Sequence, residues 1–359
     1  MNYLKTKEHY DNCRFCWMCR QVCTVATMTN DETQSPRSRG LAMYAAEKGI
    51  VDLDSGFTEA MYKCCLCNYC NSWCEGDYDP QKFALAIRRD AVDMDIVPGN
   101  ILHLKETIVE TGNVFSEEIS KDFKELWDTL PKKGDVVVLA GGVIPFRAVE
   151  MANAALSIFN KSGVQVAAID DEITGAYELY CLGYYNIALE TVKKLIKQIE
   201  ETGAKTIVTL DTQERYFLSD LEELFGLKLV ARVLDFSEFI VENAIVPTKD
   251  INKNVTYQDD SCLTRKCKKA EVPRNIISLV PGTKLIEMLW FKEEAHATPS
   301  ALYNFMYNNI ADKMIQRRIE DFKETQTEVL IVSSANDNYK FKQAGIPTIS
   351  LAEYLDQAL

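Results

Sequence analysis

Several things are missing from this sequence, and each absence removes a class of function. No apolar run approaches the roughly 20 residues needed to span a bilayer; the longest stretches, such as Val136 to Ile144, fall well short. Any membrane contact would therefore come through a partner. There is no basic excess either: the net charge of −13 argues against nucleic acid as ligand, because phosphate binding needs a concentrated basic surface. A nucleophile elbow, a P-loop and a metalloprotease motif are all lacking. Gly141-Gly142 sits between a strand-like and a helix-like run, but without G-x-G-x-x-G it does not make a dinucleotide turn. The run Asp170-Asp171-Glu172 reads as a solvated turn. His9 and His103 are isolated in polar or helical surroundings and read as surface or capping residues. The opening Met-Asn-Tyr-Leu-Lys-Thr-Lys-Glu-His has no apolar core of the kind a secretory signal requires, so a reducing cytoplasm is expected.

What the chain has is cysteine. Eight of its twelve fall in two runs, Cys13, Cys16, Cys19, Cys23 and Cys64, Cys67, Cys70, Cys74, each spaced C-x2-C-x2-C-x3-C. This is the ferredoxin spacing, in which three thiolates grip one iron-sulfur cube and the fourth reaches a neighbouring one. It predicts two [4Fe-4S] clusters with crossed ligation: Cys13, Cys16, Cys19 and Cys74 on the first, and Cys64, Cys67, Cys70 and Cys23 on the second. Disulfides would need an oxidising compartment, and zinc usually takes two separated pairs of ligands. Cys65 breaks the register and reads as a spectator thiol. Trp17 and Trp73, inside the two loops, read as shields that keep water from sulfur.

At 359 residues and 47% apolar composition the chain can form two or three domains with ordinary cores. Between the cysteine runs, Ser35 to Gly49 reads as a short helix stopped by Gly49. Asp79 caps and Pro80 opens a longer one, with Phe83, Ala84, Ile87 and Ala91 on one face, ending near Val97-Pro98-Gly99. No alternating β pattern appears before Pro131, so residues 1–130 are expected to form a helical ferredoxin-like domain. After a linker at Leu130 to Gly134, short β-rich runs alternate with helical ones: Asp135 to Gly142, Val164 to Asp170, Thr206 to Asp211 and Val230 to Phe236. A second series comes after it: Asn254 to Asp260, Thr283 to Leu289, Glu328 to Ser334 and Pro347 to Leu351. The two series close alike, with Val233-Leu234-Asp235-Phe236-Ser237-Glu238-Phe239-Ile240 matching Thr348-Ile349-Ser350-Leu351-Ala352-Glu353-Tyr354-Leu355. The expected architecture is α+β multidomain: an all-α two-cluster domain, then tandem parallel-sheet α/β repeats over 134–245 and 246–359.

Taken together, the chain resembles a group of iron-sulfur proteins that includes the heterodisulfide reductase D subunit, the glycolate oxidase iron-sulfur subunit and the anaerobic glycerol-3-phosphate dehydrogenase C subunit. Those proteins join such a cluster domain to two cysteine-rich "CCG" repeats. Pro36-Arg37 fits the family. Val255 to Arg265 is similar to its V-T-Y-H-D-P-C-H-L-x-R segment, and Pro273-Arg274 and Pro281 to Met288 are similar to the P-R and P-G-x-x-L-V-E-M beyond that segment. Thr24 and Glu75 stand where proline often comes after the fourth cysteine. The repeats have lost most of their sulfur. In the first, the glycine-cysteine step reads Gly141-Gly142, the CCG reads Cys181-Leu182-Gly183, and the C-P-x-C reads Asp211-Thr212-Gln213-Glu214. In the second only Cys262 survives; the CCG region reads Glu294-Ala295-His296-Ala297-Thr298 and the C-P-x-C reads Ala335-Asn336-Asp337-Asn338. One thiolate per repeat is a poor anchor for a cluster, so the repeats read as degenerate, kept for shape and docking.

The resemblance implies a non-catalytic electron-transfer subunit of a hetero-oligomeric oxidoreductase complex in anaerobic metabolism. It also implies FAD on the partner, an FAD-linked dehydrogenase or electron-transferring flavoprotein. The alternative is a heterodisulfide or thiol reductase in which Cys181, Cys262 and Cys267 form a remodelled site.

Overall fold

The computed structural model describes residues 1–169, 172 and 175–359. The chain forms two compact units that are not consecutive segments. The first comprises Met1–Val114, Gly175–Ala188 and His296–Arg317; the second comprises Phe115–Thr174, Leu189–Ala295 and Arg318–Leu359. The helical unit thus ends sixteen residues before the boundary expected at 130. It also takes in two later stretches, which hold the Cys181-Leu182-Gly183 step and most of the 294–298 step. Among the described residues no helix is long and apolar enough to cross a membrane.

The first unit is built from helices. Ser35 caps the helix Pro36–Glu47 by accepting from the Ser38 amide, and Asp79 caps Pro80–Asp93 by accepting from Gln81 and Lys82. A side-chain oxygen at each N-cap satisfies an amide that the first turn leaves open, and proline, which lacks that amide, fits beside it. The second helix stops at Asp93, four residues short of the expected Val97, because the chain turns left-handed at Asp95. Phe83, Ala84 and Ile87 pack with Tyr3, Tyr10, Met43, Met61 and Tyr78. Burying each large apolar side chain here contributes about 1.5–3 kcal/mol. A second core joins Cys23, Val25 and Ala26 to Ala297, Tyr303, Ala311 and Met314.

In the second unit the strands form two parallel sheets. Strands β1 (Val136–Leu139), β2 (Thr206–Thr209) and β3 (Arg232–Asp235) lie in the order β1-β2-β3. Strands β4 (Asn254–Gln258), β5 (Lys284–Leu285), β6 (Val329–Val332) and β7 (Thr348–Ser350) lie in the order β5-β4-β6-β7. The run expected as a strand over Val164 to Asp170 is reduced to a single bridge, Ala167 to Val137, and Asp170 lies outside the described residues. That bridge flanks β1 on the side away from β2, as β5 flanks β4, so the two sheets share one strand order. Glu172, expected in a solvated turn, instead accepts from the Ala140 (2.9 Å) and Gly141 (2.6 Å) amides at the end of β1. Both series end in a capping box, Asp235 with Glu238 and Ser350 with Glu353, which is the physical content of the matched sequences there.

The halves of this unit contact each other reciprocally. Helix Val149–Lys161, after β1, packs on Leu351–Ala358, the last helix of the other half; Phe236–Glu242, the last helix of its half, packs on Glu271–Leu279, after β4. Lys161–Asp356 (3.0 Å) and Lys269–Glu238 (3.0 Å) bridge the two contacts. Such an exchange is what a pseudo-twofold relation between two similar halves produces.

Gly183 lies in the first unit at φ +93°, and a Cβ there would stand 2.3 Å from the Arg88 carbonyl oxygen. Gly49 is also left-handed, at φ +67°, but faces open space. Gly183→Ala is expected to lose more than about 2 kcal/mol in chemical denaturation and Gly49→Ala roughly 1 kcal/mol. Equal losses would mean that backbone conformation alone, and not the approach to Arg88, demands glycine at 183.

Candidate metal centre

The two cysteine loops have the same backbone. In each, the residue before the second cysteine and the residue after it are left-handed: Phe15 (φ 54°) and Trp17 (φ 68°) around Cys16, Leu66 (φ 55°) and Asn68 (φ 62°) around Cys67. None of the four is glycine, and non-glycine residues hold this conformation at some strain. Alternating left- and right-handed residues turn successive amides into one concavity, the nest that receives anions and iron-sulfur clusters. A short helix comes after each loop, Met18–Val22 and Tyr69–Ser72. Each carries the third cysteine in its first turn and delivers the fourth beyond its end.

The cysteines line two cavities. Cys13, Cys16, Cys19 and Cys74 surround the first, of about 380 Å³, together with Arg14, Trp17, Arg37, Trp73, Glu75 and Tyr78. Cys23, Cys64, Cys67 and Cys70 surround the second, a tight space of about 20 Å³, with Cys65, Arg39, Asn68 and Tyr69 among its walls. Both tryptophans therefore border the first cavity, and Trp17 is 47% exposed. Cys65, out of register, packs against the core around Cys23 and Tyr303.

One helix serves both spaces. Arg37 and Arg39, two residues apart on Pro36–Glu47, point about 200° apart, so Arg37 reaches the first cavity and Arg39 the second. Arg37 lies 3.4 Å from the Trp17 ring centroid, a cation–π contact. Arg39 is 2% exposed; its Nε donates to the Ala60 carbonyl at 3.0 Å, and its Nη2 has no partner. Tyr78 walls the first cavity and donates its hydroxyl to the Pro36 carbonyl.

Burial pushes the Cys19 thiol up to about 12, reinforced by Cys13, Cys23 and Cys16, and the Cys23 thiol up to about 11. Burial and the neighbouring Cys67 and Cys64 sulfurs hold Cys70 well above its ordinary range. Thiols so placed keep their protons unless a cation displaces them, so metal entry would be coupled to proton release. Among the described residues no three Cys, His, Asp or Glu side chains come close enough to share one metal ion. A four-iron cube spreads its ligands over its corners and needs a wider cage. Two sets of four thiols, each on a loop with the same pair of left-handed residues, and an orphaned donor at Arg39 have the chemistry to hold such a group, and the second space, at about 20 Å³, must widen to admit it.

Sequence reasoning missed Arg39, Arg88 and Tyr78. The signal was there: Arg39 shares a buried stripe with Pro36, Gly40 and Met43, and Arg88 continues the stripe of Ala84 and Ala91. A charge on an apolar stripe has to be buried or to bend the helix away. Arg88 is buried, and its Nη atoms donate to the carbonyls of Met61 (3.0 Å), Tyr62 (3.1 Å), Cys64 (2.6 Å) and Cys181 (2.7 Å).

The remnant repeat cysteines are separated by the division of the chain. Cys181 belongs to the first unit, where its carbonyl serves Arg88 and the Leu182 carbonyl accepts from Tyr62 at 2.8 Å. Cys262 and Cys267 belong to the second, at the two ends of a π-turn closed by the Cys267 amide on the Cys262 carbonyl at 2.8 Å. Burial raises both thiols, Cys267 to about 12. Thr24, in the place of a proline, accepts at its hydroxyl from the Ala297 amide at 3.2 Å.

A profile of the CCG cysteine-rich domain matches residues 255–336, from β4 into the helix Ala335–Gln343. Over 297 residues the chain is 24% identical to the D subunit of the dihydromethanophenazine:CoB–CoM heterodisulfide reductase of Methanosarcina barkeri, covering 76% of this chain and 70% of that one. Over most of its length the chain resembles iron-sulfur proteins of this kind. It is also 23% identical over 305 residues to an uncharacterized iron-sulfur protein of Methanococcus maripaludis, covering 79% of this chain and 58% of that protein. The chain thus spans about 58 to 70% of the length of these relatives. Among solved structures, a hypothetical protein from Helicobacter pylori shares the fold, at a TM-score of 0.59 and 11% identity, covering 95% of this chain and 70% of that one.

A Cβ on Gly40 would meet the Tyr78 hydroxyl at 2.2 Å and two ring carbons at 3.0 Å. Gly40→Ala is expected to destabilise the protein by about 1–3 kcal/mol. The double variant Gly40→Ala/Tyr78→Phe, which lacks the clashing oxygen, should recover part of that loss in denaturant midpoint. No recovery would mean that Tyr78 is not what keeps residue 40 small.

Proposed function

We propose that this chain is an electron-transfer subunit that holds two [4Fe-4S] clusters and passes electrons to or from a partner flavoprotein. The observation that carries the reading is the partition of the eight cysteines over two cavities, 13/16/19/74 and 23/64/67/70, each loop bearing the same pair of left-handed residues. Bound there, each cluster would supply one-electron acceptance and donation; the chain supplies thiolates, amides and burial that set the potentials. The half-open first cavity, with Phe15, Trp17 and Met18 exposed beside it, suits exchange with a partner. The FAD and the substrate chemistry belong to that partner, a dehydrogenase or electron-transferring flavoprotein, in a complex assembled in the cytoplasm.

A second reading comes from the names of the relatives: a thiol or heterodisulfide reductase site in the α/β halves. It lacks ligands. Cys262 is buried and Cys267 half-buried, and burial raises both thiols above their ordinary range.

The protein purified without oxygen is expected to contain about eight irons and eight acid-labile sulfides per chain, with paramagnetic resonance of two interacting cubanes on reduction. Cys16→Ser and Cys67→Ser should each lower the iron by about half and stop electron flow from the flavoprotein, while substrate still reduces the flavin. Iron well above eight, or a signal that responds to added disulfide, would favour the reductase reading.

A further inference from the structure

Arg39 is a buried cation without an anion. Among the described residues it has no carboxylate within ion-pairing distance, its only hydrogen bond is to the Ala60 carbonyl, and Nη2 is an orphaned donor. It lines the second cavity with Cys23, Cys64, Cys67 and Cys70. An unpaired buried guanidinium is strongly unfavourable unless a negative group shares its site. Four thiolates around a cube are such a group, with a net negative charge that grows by one on each reduction. The first cavity differs: Arg14 is exposed, Arg37 is half-buried and stacked on Trp17, and Glu75 stands among them. Charges there are screened by water and by each other.

We propose that Arg39 donates its free Nη2 hydrogen to a sulfur of the cluster on Cys23, Cys64, Cys67 and Cys70, and so raises that cluster's reduction potential above what the same cage would give without it. This rests on the two-cluster reading. Charge and hydrogen bonds to sulfur both stabilise the reduced form, which carries the extra negative charge. Arg88 does not share the role, because its Nη donors are spent on backbone carbonyls.

The test is a redox titration of the whole protein followed by paramagnetic resonance, with iron counted on every sample. The couple that disappears in Cys67→Ser is assigned to the second cluster. Arg39→Gln, with iron still near eight, should lower the ratio of reduced to oxidised form of that couple about tenfold at a fixed potential, equivalent to about 59 mV for one electron. Arg39→Lys, which keeps the charge, should restore most of it, and Arg37→Gln should leave the second couple unmoved. Unchanged potential in Arg39→Gln with full iron overturns the proposal. So does iron loss in both Arg39 variants, which would make Arg39 a builder of the cage. Wild-type protein holding far fewer than eight irons would instead sink the two-cluster reading itself.

Discussion

The first unit depends on one buried cation. Arg88 offers its Nη hydrogens to carbonyls from three places in the chain: the end of the helix Ser55–Tyr62, the start of the second cysteine loop at Cys64, and Cys181 more than ninety residues later. Each of those carbonyls lies at the end of a helix or in a loop, where backbone partners run short; Met61 alone of the four also accepts a backbone amide, from Cys64 at 3.2 Å. A guanidinium with its fork of donors is the side chain that can satisfy several at once. Gly183 completes the arrangement from the other side, since any larger residue would strike the Arg88 backbone.

This changes the meaning of the lost CCG cysteines. The stretches 175–188 and 296–298 belong to the same unit as the cysteine loops. The glycine of the Cys181-Leu182-Gly183 step is kept because the backbone of Arg88 lies against it. In the later stretch Ala297 donates to Thr24 and Tyr303 donates to the Lys63 carbonyl at 2.9 Å.

The two cavities are unequal in a way that suits a conduit. One is open, edged by exposed aromatic and thioether side chains; the other is enclosed and carries an unscreened charge. A single helix borders both, and the about 200° between residues two apart is enough to give each its own arginine.

The sequence by itself determined the two cysteine loops, the helical N-terminal region and the alternating strands, since each is written in local spacing: threes for the loops, 3.6 for the helices, short apolar runs for the strands. The matched ends at Asp235 and Ser350 were legible because a capping box needs only four consecutive residues. Tertiary structure decided the rest. The failed strand near Ala167, the capture of 175–188 and 296–317 by the first unit, and the burial of Arg39 and Arg88 all depend on partners far away in the chain. A charged residue on an apolar stripe reads as an error until the carbonyls, or the anion, that it answers are brought beside it by folding.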